Sequence, residues 1–167
     1  MCLFHKLFDA LILPIVSTSA KIPYSGVQAG FRSGYSILTN ILTLYHLIQA
    51  NIGSHIVFLD FAAAFDKVGL LYLEKELKAQ NINPLVLWLI HPLMLQDTIF
   101  SLMVNGCPSI KQNCTGGVLQ GSPLYPILFN RFIKSLLQSL NREPRRTFPS
   151  ALFFADDGVL FHQLNKY

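Results

Sequence analysis

Carboxylates are scarce in this chain. Nine Asp and Glu stand against 13 Lys and Arg among 167 residues, and charged residues make up 13% of the whole, about half the roughly 25% usual for soluble domains. Either the core is unusually large or an interface lacks its partner. Cysteine is rarer still: Cys2, Cys107 and Cys114 form no metal-ligand spacing, and any pairing leaves one over. Reduced, intracellular thiols are the simplest account.

Long apolar runs are also missing, although mean hydropathy is +0.41. Neither "ALILPIV" nor "PLVLWLIHPLML" approaches the ~20 consecutive apolar residues that span a bilayer, so no membrane association is expected. The first 16 residues place Lys6 ahead of an apolar run, as a signal peptide does, but Asp9 and Pro14 interrupt it and "STSA" is a poor cleavage site. There is no repeat and no low-complexity tract. The length fits one domain with a real core.

What is present begins with periodicity. In "SILTNILTLYHLIQA", residues 36–50, Ile37, Ile41, Leu44 and Ile48 lie on one helical row beside Leu38, Leu42 and Tyr45, which predicts a helix with a wide buried face. "SHIVFLDFA" has the length and β-branched content of a buried strand. "LLYLEKELKAQ" is an amphipathic helix punctuated by Asn81 to Pro84, and "PLVLWLIHPLMLQ" is a second helix, expected to bend near Pro92. Asn105-Gly106 predicts a hairpin in "TIFSLMVNGCPSIKQNC". A Gly- and Pro-containing loop, "TGGVLQGSPLYP", then feeds a helix with Pro126 in its first turn. Helices packed on an antiparallel sheet, an α+β architecture, follow from this order.

The acids stand out against this background. Asp60 sits within "IVFLDFA", where burying a lone carboxylate costs on the order of several kcal/mol unless a cation meets it. That cation is either an Arg or Lys, or a divalent metal shared with Asp156 and Asp157 at the ends of adjacent strands. Magnesium suits such acids because it prefers hard oxygen ligands and is commonly held by one or two carboxylates plus substrate phosphates. Within "ALFFADDGVLF", Asp157-Gly158 is a strong signal for a hairpin turn. Asp66, in a strand-to-helix connection, is read as a helix cap or a partner for a basic side chain. The net charge of +4, with Arg142, Arg145 and Arg146 close together, favours a polyanionic partner.

"QAGFR" (28–32), "FLDFAAAFDKV" (58–68), "GVLQGSPLYPILFN" (117–130) and "FADDGVLF" (154–161), in that order, resemble the successive motifs of reverse transcriptases, more narrowly those of non-LTR retrotransposons of the long interspersed element type. The resemblance implies a partial polymerase palm with part of the fingers. The fingers remnant covers about 1–55 and the palm about 56–167, with the thumb absent. It implies an RNA-dependent DNA polymerase using two Mg²⁺ ions, or Mn²⁺, to join deoxynucleoside triphosphates to a DNA primer along an RNA template, in the nucleus. As such a fragment the chain is expected to be inactive alone and poorly soluble, the alternative being a noncatalytic remnant that binds nucleic acid weakly.

Carried over residue by residue, the resemblance makes Asp60, Asp156 and Asp157 the catalytic acids and metal ligands. Phe65 matches the aromatic that lies beneath the incoming sugar. Gln120 and Gly121 match the loop against nucleotide and template, and Arg32 is a candidate contact to triphosphate or template. Tyr125 replaces the small residue that the family places before the Pro of this loop.

Overall fold

A computed structural model of the chain describes residues 3–19, 26–50, 55–95, 98–100, 103–105, 107–108, 112–114, 117, 121–141 and 149–162. Gln120, Arg142, Arg145 and Arg146 lie outside the described residues. The elements in chain order are α1 (Leu3–Ser19), α2 (Ile37–Gln49), β1 (His55–Asp60), α3 (Leu70–Ala79), α4 (Pro84–Leu95), β2 (Thr98–Phe100), β3 (Met103–Val104), β4 (Cys107–Pro108) and β5 (Gln112–Cys114), then α5 (Tyr125–Phe132), α6 (Lys134–Leu140), β6 (Ala151–Phe154) and β7 (Asp157–His162). Helices and antiparallel strands are mixed as the sequence predicts.

The chain divides into two units, one of Met1–Ile22 with Phe65–Tyr125 and one of Pro23–Ala64 with Pro126–Tyr167. In the first, α4 packs on α3 and α1. Leu73 and Leu77 of α3 and Val86 and Ile90 of α4 are buried, which is the apolar row the periodicity predicts. The punctuation between these helices has a mechanism. Asn81 takes a left-handed φ of 55°, a conformation Asn tolerates at a helix C-terminus, and the Asn83 side chain caps α4 by accepting the Leu85 N–H at 2.9 Å. Thr98–Phe100 pairs antiparallel with Gln112–Cys114, and Met103–Val104 with Cys107–Pro108, the hairpin expected around Asn105.

Helix α1 is not among the expected elements, and it runs through Pro14. Its Asp9 is fully buried and accepts a hydrogen bond from the Ser122 hydroxyl, while Ser122 Oγ itself accepts the Leu124 N–H at 3.2 Å. Burial, helped by the Asp9 charge, pushes the Tyr125 phenol up to about 12. Asp66 corrects the expectation of a cap: α3 starts from Gly69, no side chain caps it, and Asp66 is exposed. What matters at Asp66 is its backbone. Gly117, at φ 83°, comes so close that a Cβ there would lie 2.7 Å from the Asp66 carbonyl oxygen, and its N–H donates to the Val68 carbonyl at 3.1 Å.

The second unit is built on a three-stranded antiparallel sheet in the order β1-β7-β6. Its core joins Leu47 and Leu44 of α2 to Leu152, Val159, Phe161 and Ile56 on the sheet. Two expectations change here. Strand β1 is an edge strand whose residues are exposed or half-buried, not a buried strand. Helix α2 forms as predicted but buries only Leu47, and Ile37, Leu38, Ile41, Leu42, Tyr45 and Ile48 remain exposed. Asn141, ending α6, collects the chain on its return by accepting from the Ser150 and Ala151 N–H groups at 2.7 and 3.2 Å.

Two buried titrating groups give the fold a pH signature. Burial, reinforced by the Arg131 charge, holds the Lys134 ammonium down at about 8 from 10.5. Between those values the unfolded chain still carries a proton that the folded chain has lost, so stability rises with pH. Above about 10 the raised Tyr125 phenol acts oppositely, because the unfolded chain ionises first. Urea denaturation is expected to show stability climbing from about pH 8 to about 10 and declining beyond. Lys134→Met should flatten the climb and leave the decline.

Candidate active site

The acids of the site lie in the second unit, around the β6–β7 hairpin. The register pairs Phe154 with Asp157, so the turn consists of two residues, Ala155 and Asp156. This corrects the expectation that Asp157-Gly158 forms the turn, because both are already in β7. The left-handed residue is Ala155, at φ 58°, in the first turn position where such hairpins usually place Gly. Gly158 serves packing instead. A Cβ there would lie 2.4 Å from the ring of Phe153, which is fully buried and stacks on Phe61 at 6.2 Å between centroids.

Pairing of β1 with β7 places Asp60 directly opposite Asp157. Cross-strand partners project from the same face of a sheet, so the two carboxylates stand side by side. Both are exposed, and Asp156 is half-buried in the adjoining turn. The burial argument for Asp60 therefore falls away. Among the described residues no Lys or Arg forms an ion pair with it, and no three His, Cys, Asp or Glu side chains converge to hold a metal ion. The geometry offers two facing hard-oxygen donors and a third one residue away.

Asp60 and Asp157 line, with Asn40, a groove of about 340 Å³ whose other side chains are apolar, from Ile37 and Ile41 of α2 to Phe58, Leu152 and Val159 of the sheet. Arg32 is half-buried, donates from Nη1 to the Gln28 carbonyl at 2.8 Å, and stacks on the Tyr35 ring at 3.9 Å. Phe65 and Gly121 belong to the first unit: Phe65 is half-buried in the turns that follow β1, and Gly121 takes φ 90° at the start of the segment anchored to Asp9 through Ser122.

Sequence reasoning passed over the support of the turn. The segment around Gln28 lies parallel to β6, with the Phe153 N–H donating to Val27 O at 2.8 Å and the Ala29 N–H to Phe153 O at 2.9 Å. Asn40 of α2 donates to the same Phe153 carbonyl at 2.9 Å, and buried Asn130 of α5 donates to Gly30 O at 2.8 Å. No local signal in the sequence marks these amides, because their partners lie 100 or more positions away.

Because the Phe153 ring occupies the space where a Gly158 side chain would go, Gly158→Ala is expected to destabilise the chain by roughly 1–3 kcal/mol through overpacking. Thermal denaturation measures this. Relieving the like-charge pair with Asp60→Asn should instead stabilise by about 0.2–1 kcal/mol without divalent ions, and Mg²⁺ should then raise Tm less than it does in the parent.

The chain is similar in fold to apo telomerase from Candida tropicalis truncated from its C-terminal domain, with a TM-score of 0.56 and 14% identity over 95% of this chain and 34% of that one. It thus spans about a third of the telomerase chain. A family model described as reverse transcriptase (RNA-dependent DNA polymerase) matches residues 2–166. Its match extends over nearly all of the sequence, from α1 through the acidic hairpin, and the chain therefore belongs to the reverse transcriptase (RNA-dependent DNA polymerase) family.

Proposed function

We propose that this chain is a portion of an RNA-dependent DNA polymerase of the non-LTR retrotransposon kind, acting in the nucleus, in which Asp60, Asp156 and Asp157 hold two Mg²⁺ ions for nucleotidyl transfer to a primer 3'-OH. One observation carries the reading: register pairing brings Asp60 opposite Asp157, beside Asp156 in the turn, although about 95 residues separate them in the chain. Like charges facing each other across strands are unfavourable, and a divalent cation removes that cost. Ions bound there would supply Lewis-acid stabilisation of the attacking and leaving oxygens.

In this reading the protein's own contribution is placement. Asp60 and Asp157 are held by paired strands rather than by loops, which keeps their separation nearly constant. By the motif resemblance, Phe65 is assigned to the incoming sugar, Gln120 and Gly121 to nucleotide and template, and Arg32 to triphosphate or template. The four motifs in their order support the non-LTR assignment. The exposed apolar residues of α2 and β1 support a part of a larger enzyme, since such a surface ordinarily marks an interface.

Sustained synthesis by the chain alone is not expected, so the diagnostic readout is addition of the first deoxynucleotide to a primer on an RNA template with Mg²⁺. Asp156→Asn should lower that addition by ~10²-fold or more, the scale of losing several kcal/mol of charge stabilisation. Salt-sensitive binding of the primer–template with no addition by either protein would favour the noncatalytic alternative.

A further inference from the structure

Gln28 is 1% exposed, yet both polar atoms of its carboxamide have partners. Oε1 accepts the N–H groups of Ala155 and Gly30 at 3.0 and 2.8 Å, and Nε2 donates to the Ala155 carbonyl at 2.9 Å. A carboxamide has the donor and acceptor of a peptide group, so Gln28 pairs with Ala155 as a strand would, one step beyond the point where backbone pairing with β6 stops. The orientation of the amide follows from its partners, because two N–H donors require the oxygen on their side.

The residue held in this way is one of five non-Gly residues at positive φ among the described residues. Ala155 carries a Cβ in the left-handed region that ordinarily favours Gly. Its neighbourhood is shaped for the contact: a Cβ at Gly30 would lie 2.2 Å from the Ala155 nitrogen. The Gln28 backbone is fixed independently, by the bonds of Val27 and Ala29 to Phe153 and by Arg32 Nη1 on the Gln28 carbonyl. Ala155 is followed at once by Asp156, so its φ and ψ direct where that carboxylate stands.

We propose that Gln28 is the positioning residue of the acidic turn: its carboxamide holds Ala155 left-handed and so sets Asp156 relative to Asp60 and Asp157. The functional half of this proposal rests on the metal-site reading above; the structural half does not.

The test uses the full chain and two readouts, hydrogen exchange at the Ala155 amide by NMR and Mn²⁺ affinity by paramagnetic titration. Gln28→Glu keeps the shape and the acceptor but turns the donor into an anion facing the Ala155 carbonyl. It should reduce protection at Ala155 and weaken Mn²⁺ binding by about tenfold, the scale of an unsupported left-handed residue. Gln28→Ala should do the same, and adding Ala155→Gly should recover Mn²⁺ affinity, since Gly adopts that conformation unaided. Asp156→Asn should lose Mn²⁺ while keeping protection at Ala155.

Unchanged Mn²⁺ affinity in both Gln28 variants, with Ala155 unprotected, overturns the proposal, as does unchanged protection. If neither single variant folds, the Gln28→Ala, Ala155→Gly pair decides: folding with Mn²⁺ affinity restored upholds the role at the turn, and failure overturns it. If the parent binds no Mn²⁺, the metal reading fails by itself, and the exchange data still decide whether Gln28 holds the turn.

Discussion

A hairpin that reverses in two residues must place left-handed backbone somewhere, and here the burden falls on an alanine. Much of the second unit is arranged around that constraint. Gly30 lacks a side chain where the Ala155 backbone needs the space, and the chain from Val27 to Ala29 saturates both polar groups of Phe153. Gln28 then does the same for Ala155 with a side chain. Left without these partners, the edge of β6 would expose unpaired N–H and C=O groups where the strand turns, and the turn would be free to relax.

The register that follows has an electrostatic consequence. With the turn fixed at Ala155 and Asp156, β7 starts at Asp157 and its pairing with β1 ends on Asp60. Two carboxylates then face each other on an exposed strand end in a chain that carries excess positive charge elsewhere. A fold optimised for stability alone would alternate signs at such a position.

The apolar excess has a similarly specific location. Helix α2 and strand β1 display the regular apolar spacing of buried elements, but much of that surface is open in this chain. Periodicity reports that a face is made for burial and does not say by what. The chain spans about a third of the telomerase chain to which its fold is similar.

Much was therefore legible in the residues alone. Local rules are enough for elements whose hydrogen bonds close within themselves, so α2, α3, α4 and the strand at β1 could be read from spacing and composition. The order of four short motifs carried the family. The turn could not be read this way: Asp157-Gly158 is the stronger local signal, yet Ala155 takes the left-handed conformation because Gln28, 127 positions away, supplies its hydrogen bonds. Gly158 is a glycine because a phenylalanine ring crosses it, and Asp60 is exposed because its strand lies at the edge. Each of these depends on a contact between distant segments, and only the tertiary structure brings those segments together.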